Sequence, residues 1–247
     1  MFVSGHDFSR AVNVENTPAL EAPEVRLSCR IAGFLMGSRE LKLAEAFVLA
    51  GGRSSRMGHD KSLLRLAGRS LIEHALEKLR TLPLAVPPRI AGAHADLSFY
   101  APVVPDLHPG RGPLSGIEAA LASTTQPLNL FLPVDLPLLP AQFLNWMLWR
   151  AETTGASMTV PRINGLPQPL CAIYHRKLLQ PIRAALLAGN YKVTEAIPAS
   201  ETIDIFDVET VASANQELRG WSALPLFRWF HNCNTPEDMA AIENALV

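Results

Sequence analysis

Residues 49 to 61 read Leu-Ala-Gly-Gly-Arg-Ser-Ser-Arg-Met-Gly-His-Asp-Lys and follow directly on the apolar run Ala46-Phe47-Val48. Gly51 and Gly52 lack the Cβ atoms that would keep a polyanion away from backbone N–H groups. Arg53, Arg56 and Lys61 add positive charge to the same turn, so phosphate oxygens are its natural occupant. Two common glycine loops are excluded by spacing. A P-loop ends in Gly-Lys-Ser/Thr, whereas His59 and Asp60 here separate Gly58 from Lys61; a dinucleotide fingerprint needs Gly-x-Gly-x-x-Gly, which is absent.

Carboxylates supply the complementary chemistry. In Phe131-Leu132-Pro133-Val134-Asp135-Leu136-Pro137, an apolar strand runs into an aspartate whose turn is pinned between prolines, which fixes Asp135 at the edge where open α/β sheets bind ligands. A nucleoside triphosphate arrives with Mg²⁺, an ion that takes one or two carboxylates plus phosphate oxygens and water, so Asp135 suffices as the protein's metal ligand; a turn aspartate that hydrogen-bonds its own backbone is the alternative. Val103-Val104-Pro105-Asp106 repeats the arrangement, and Gly112-Pro113-Leu114-Ser115-Gly116 follows before a helix; an ordinary turn aspartate is the alternative for Asp106. Near the C-terminus, Asn232-Cys233-Asn234-Thr235-Pro236-Glu237-Asp238 opens a helix with Thr235 as N-cap and Pro236 at its first position. Capping leaves Asn232 and Asn234 unexplained; they are either turn residues or face an acceptor substrate or the metal.

These residues need a scaffold, and the pattern between them supplies one. Ser70-Leu71-Ile72-Glu73 is a capping box opening a helix with Leu71, Ile72, Ala75, Leu76 and Leu79 on one stripe. Strands are expected at 89–91, 102–104, 128–132, 157–160, 170–174 and 202–206. Helices are expected near 114–123, 141–151 and 176–188, and the stretch 207–226 has no readable period. Strands alternating with helices predict an α/β fold of three layers, a mostly parallel sheet with helices on both faces. Residues 1–43 lack periodicity and are expected to be a leader, disordered or arising from an upstream start, ahead of one domain over 44–247.

The 247 residues carry a formal net charge of −1 and are 48% hydrophobic, enough for a sizeable core and without the basic field that nucleic acid or an anionic membrane would call for. Cys29, Cys171 and Cys233 are too few and too scattered for a disulfide framework or a zinc site, which suits the cytoplasm. No signal peptide or membrane-spanning run is evident. The histidines show no metal or triad spacing.

The string from Leu49 to Lys61 resembles the opening of nucleotidyltransferases that activate sugars and cofactors, above all the molybdenum cofactor guanylyltransferases, with their Leu-Ala-Gly-Gly-x-x-x-Arg-Met-Gly-x-Asp-Lys pattern. The Asp106, Gly112-Pro113-Leu114-Ser115-Gly116, Asp135 and Asn232 to Asp238 segments match further elements of that family, in order. The segment Leu166-Pro167-Gln168-Pro169-Leu170 is a weaker match, to its acceptor side.

The resemblance implies a Rossmann-like nucleotidyltransferase fold. It implies GTP as donor, Mg²⁺ as cofactor and molybdenum-bearing molybdopterin as acceptor, with delivery to molybdoenzymes or their chaperones. Lys61, Arg56 and Asp135 would be catalytic. Leu49, Ala50, Gly51, Gly52, Arg53, Lys61, Ala93, Asp106 and Asp135 would hold the nucleotide, with Asp135 on the metal and Asn232 and Asn234 toward the acceptor. Ala93 stands where the family commonly has an asparagine against guanine, which weakens the case for GTP. Leu-Ala-Gly-Gly, where cytidylyltransferases acting on the same pterin tend to have Leu-Ala-Ala-Gly, strengthens it. Those cytidylyltransferases, sugar-phosphate nucleotidyltransferases and a non-catalytic nucleotide-binding paralogue that delivers cofactor are the rivals.

Overall fold

The computed structural model describes residues 43–51, 60–92, 95–214, 218 and 220–246. The expected leader, apart from Leu43, lies outside the described residues, as do Gly52, Arg53, Arg56 and Ala93.

β1 (Ala44–Leu49) is buried along its whole length and runs at the middle of an eight-stranded sheet. The other strands are β4 (Arg89–Ala91), β5 (Val103–Val104), β6 (Leu128–Pro133), β7 (Met158–Ile163), β8 (Leu166–Pro167), β9 (Ala172–His175) and β10 (Ile203–Asp207). Their order is β10-β7-β9-β6-β1-β4-β5, with β8 paired to β7. β9 runs antiparallel to both β6 and β7, so those two are parallel to each other; β1, β4, β5 and β10 also run parallel to their neighbours. The carboxyl ends of β1, β4, β5, β6, β7 and β10 therefore share one edge. A small hairpin, β2 (Arg65–Leu66) with β3 (Arg69–Ser70), stands apart from the sheet.

Side chains alternate along β1 and divide the core in two. Ala46 and Val48 face a cluster containing Leu71, Ile72 and Leu76 of α1 (Leu71–Arg80) and Phe143, Trp146 and Met147 of α3 (Ala141–Thr154). Phe47 and Leu49 face the other cluster, with Leu114 and Ile117 of α2 (Pro113–Ser123) and Ile182 and Leu186 of α4 (Leu179–Leu187). This is the three-layer arrangement that the alternation of strands and helices predicts. The five-residue stripe read from the sequence is the buried face of α1, and Glu73 closes the capping box by accepting from the Ser70 N–H at 2.7 Å and from its hydroxyl at 2.6 Å.

The unreadable stretch holds a helix, α5 (Val208–Ala214), and precedes a short one, α6 (Leu226–Trp229); α7 (Pro236–Leu246) ends the chain. The expected helix at 176–188 is a tight turn over Arg176–Leu178 leading into α4. Among the described residues no helix is long and apolar enough to cross a membrane.

Candidate functional site

The strand ends are sewn together where the glycine loop begins. The Ala50 N–H donates to Ala91 O at 3.0 Å, the Val134 N–H to Leu49 O at 3.2 Å and the Gly92 N–H to Val104 O at 3.1 Å. Gly92 has φ of +152°, and a Cβ there would lie 2.9 Å from Gly51 N. The first residues of the glycine loop thus pass against bare backbone, a close approach that needs glycine.

Asp60 ends that loop and builds the next turn. Its carboxylate accepts from the Ser62 N–H at 3.0 Å and from the Ser62 hydroxyl at 2.7 Å, which starts the 3-10 turn Lys61–Leu63. The turn aims Lys61 across the sheet edge. Its Nζ donates to Asp135 Oδ2 at 2.8 Å and to Asn234 Oδ1 at 2.5 Å.

Asp135 is fixed by its neighbours. Val134 and Leu136 are buried on either side, and the Cys233 N–H donates to Asp135 O at 2.9 Å, so the C-terminal asparagine loop is docked on the aspartate turn. Asp238 in turn holds that loop: its Oδ2 accepts from the N–H groups of Asn234 and Thr235, both at 2.8 Å, while Thr235 Oγ1 accepts from the Asp238 N–H at 3.1 Å. The hydrogen bond from the Asn234 backbone N–H is the main reason that the Asp238 carboxyl titrates below its ordinary range. Burial pushes the thiols beside this turn the other way, Cys171 up to about 12 and Cys233 up to about 11, so neither is a ready thiolate.

Asp106 sits on the glycine-loop side of Asp135. A Cβ on Gly116 would lie 3.2 Å from Asp106 Oδ1, 3.7 Å from Leu49 Cδ2 and 4.0 Å from Ala91 O, so the first turn of α2 packs into the corner between β1, β4 and Asp106. Gly112, at φ of +78°, turns the chain into Pro113 at the helix start. On the other side of Asp135, at the same sheet edge, a cavity of about 520 Å³ lies between Ile163 and Asn164 at the end of β7, Glu209 of α5, and Leu224, Leu226 and Phe227.

The structure thus brings together Leu49, Ala50, Gly51, Lys61, Asp106, Asp135 and Asn234 along one edge. Asn232 is exposed in the same loop and, among the described residues, makes no hydrogen bond to Lys61, Asp135 or Asn234. Sequence reasoning passed over Gly92, which a glycine directly behind an apolar strand signals. The spacing Thr235-x-x-Asp238 is likewise that of a capping box, a signal for the hydrogen bonds by which Asp238 holds the asparagine loop.

Oxygen donors at this edge, the Asp135 carboxylate and the Asn234 amide, suit a hard divalent cation. Among the described residues no group of three or more His, Cys, Asp or Glu could hold a metal ion.

The sequence profile of the MobA-like NTP transferase domain matches residues 46–202, which run from β1 to the approach to β10. The chain is 32% identical over 198 residues to the probable molybdenum cofactor guanylyltransferase of Pelotomaculum thermopropionicum, covering 79% of this chain and 90% of that one. It is 34% identical over 215 residues to the molybdenum cofactor guanylyltransferase of Rhizobium meliloti, covering 80% and 89%. The crystal structure of molybdopterin-guanine dinucleotide biosynthesis protein A from Archaeoglobus fulgidus superposes with a TM-score of 0.66 at 25% identity, over 82% of this chain and 98% of that one.

Proposed function

The chain belongs to the MobA-like NTP transferase family, and from that premise we propose that it transfers GMP from GTP to the phosphate of molybdenum-bearing molybdopterin, yielding molybdopterin guanine dinucleotide and pyrophosphate. One observation carries the reading: the Lys61 ammonium, the Asp135 carboxylate and the Asn234 amide meet at the carboxyl edge of the sheet, beside the glycine loop.

A phosphate oxygen of the acceptor attacks the α-phosphorus of GTP in line. The new P–O bond forms as the bond from the α-phosphorus to the bridging oxygen breaks, and pyrophosphate leaves with the electron pair. No general base is required, because a phosphate monoester with a second pKa of about 6 is already a dianion at neutral pH. The protein's work is to position two anions and to offset the charge that gathers between them. Lys61, with Arg53 and Arg56 of the same loop, meets the triphosphate, and Asp106 and the backbone near Leu49, Ala50 and Gly51 hold the nucleoside. Asp135 would hold the divalent cation, which we take to be Mg²⁺ and which when bound would supply Lewis-acid polarisation of the α-phosphoryl group. Asn234, with Asn232 beside it, faces the acceptor.

The nucleotide then occupies the β1, β4 and β5 side, and the pterin enters from the β7 and β10 side, where the cavity of about 520 Å³ has the size of a small-molecule site. We assign the catalytic unit to residues 44–247, acting in the cytoplasm and passing its product to a molybdoenzyme or its chaperone.

The test is pyrophosphate release with GTP, CTP, ATP and UTP, each with and without molybdopterin. Release that requires the pterin and has its highest kcat/KM with GTP is expected. A higher value for CTP would make the chain a cytidylyltransferase, and no release with any nucleotide would leave a binding protein. Because Ala93 offers no side-chain amide to the base, Ala93→Asn should sharpen the preference for GTP or leave it unchanged.

A further inference from the structure

One basic side chain near the site is unexplained by phosphate binding. Lys78 lies on α1, whose neighbouring positions Ala75, Leu76 and Leu79 are buried in the core, and its Nζ reaches the turn after Asp135. There it donates to Leu136 O at 3.2 Å and, at shorter range, to Pro137 O. Among the described residues it has no carboxylate partner within ion-pair distance. A lysine is an expensive choice for this position, since an ammonium taken from water without a counter-ion destabilises the fold. Burial lowers its pKa to about 8, which reflects that cost.

The turn explains what the lysine does. Pro137 has no N–H, and Pro133 and Pro137 bracket the aspartate, so the chain cannot close a regular hydrogen-bonded ladder here. The carbonyls of Asp135, Leu136 and Pro137 are consecutive, and each accepts from outside the turn, the first from the Cys233 N–H and the next two from Lys78; Leu136 O also accepts from the Leu139 N–H at 3.4 Å, a long bond within the turn itself. We infer that Lys78 is a positioning residue that holds the Asp135 carboxylate in place from beneath by clamping the carbonyls of Leu136 and Pro137. It touches neither substrate nor reacting atoms; it acts through Asp135, and the inference rests on the reading of Asp135 as the ligand of a divalent cation.

The test pairs Lys78→Met, which keeps the stem and removes the donors, with Lys78→Arg, which keeps donors, and with Leu76→Ala, which destabilises the same helix without touching the turn. Two readouts are taken on the full chain. Amide hydrogen exchange of Val134, Asp135 and Leu136 in the metal-free protein should speed up about tenfold or more in Lys78→Met and change less in Lys78→Arg and Leu76→Ala. Mn²⁺ binding in the presence of GTP, followed by electron paramagnetic resonance, should weaken about tenfold in Lys78→Met, recover in part in Lys78→Arg and stay near wild type in Leu76→Ala. Wild-type exchange in the turn of Lys78→Met, or equal loss in Leu76→Ala at a matched melting temperature, overturns the inference. If the wild-type protein binds no Mn²⁺ with GTP, the metal reading of Asp135 fails, while the exchange data still decide whether Lys78 holds the turn.

Discussion

Lys61 and Asn234 stand 173 positions apart in the chain and meet at 2.5 Å, Nζ to Oδ1. The contact joins the end of the glycine loop to the last helix of the fold, with Asp135 bonded to the same ammonium at 2.8 Å. Two of the three ammonium protons are thereby directed to side chains of two other loops, which leaves the third for a phosphate oxygen at the same point. In the proposed reaction, a triphosphate that reaches Lys61 would be set against the aspartate and the asparagine in one step.

Lys61→Ala should lower turnover by about a hundredfold or more, because a preorganised cation at the transferring phosphoryl group supports charge that develops in the transition state. The melting temperature should move little, since a partly exposed lysine–aspartate pair contributes about 0 to 1 kcal/mol. Steady-state kinetics beside a thermal melt separate the two effects. Activity close to wild type would remove Lys61 from the mechanism.

Asp135→Asn keeps the size of the side chain and deletes the charge that faces Lys61 and that is proposed to hold the cation. The half-saturating Mg²⁺ concentration should rise and kcat should fall, with GTP binding at saturating metal less affected. Titrating Mg²⁺ at fixed GTP and pterin reads this directly. An unaltered magnesium curve would mean that another residue is the ligand.

Gly92→Ala tests the bare-backbone seat. Its φ of +152° is poor for an L side chain, and the added Cβ would meet Gly51 N at 2.9 Å and Ala50 C at 3.1 Å. The strain is of order 1 to 3 kcal/mol, and its relief requires the start of the glycine loop to move. KM for GTP should rise about tenfold or more while kcat falls less. A variant with wild-type KM would show that the nucleotide does not depend on this approach.

Much of this arrangement was legible in the residues themselves. The stripe Leu71, Ile72, Ala75, Leu76 and Leu79 gave α1 its buried face, and the strand that ends at Pro133 with Asp135 beyond it placed a carboxylate at the ligand edge. Strand direction was less legible. Ala172 to Tyr174 are buried, and such a run reads the same forwards and backwards, so the antiparallel insertion of β9 between β6 and β7 had no local signal. The Lys61–Asn234 contact and the reach of Lys78 to the Asp135 turn are products of tertiary packing between distant segments, which no spacing along the chain encodes.

Lys78 gives the fold a dependence on alkaline pH. Its folded-state pKa of about 8 lies below the ordinary value of 10.5, and the largest cause is burial of the ammonium, with Cys171 and Glu77 acting in the opposite direction. Below pH 8 the group is protonated in both folded and unfolded chains, and the burial cost is fully present. Between pH 8 and 10.5 the folded protein releases this proton while the unfolded chain keeps it, so at this group the unfolded state binds more protons and the contribution of Lys78 to stability rises with pH. The neutral amine retains two N–H donors for Leu136 O and Pro137 O, so the clamp survives the titration. Burial raises the Cys171 and Cys233 thiols from 9.0 to about 12 and about 11, so above about pH 9 the unfolded chain loses those protons first and they lower stability as pH rises. Wild type and Lys78→Met both carry them, and the comparison between the two isolates Lys78. Urea unfolding of wild type and Lys78→Met at pH 7 and pH 10 should therefore diverge. Whichever protein is the more stable at pH 7, the stability of wild type relative to Lys78→Met should rise toward pH 10, by at most about 3 kcal/mol for a shift of this size. A difference between the two proteins that stays flat across the window would show that the ammonium is as well solvated in the fold as in the unfolded chain.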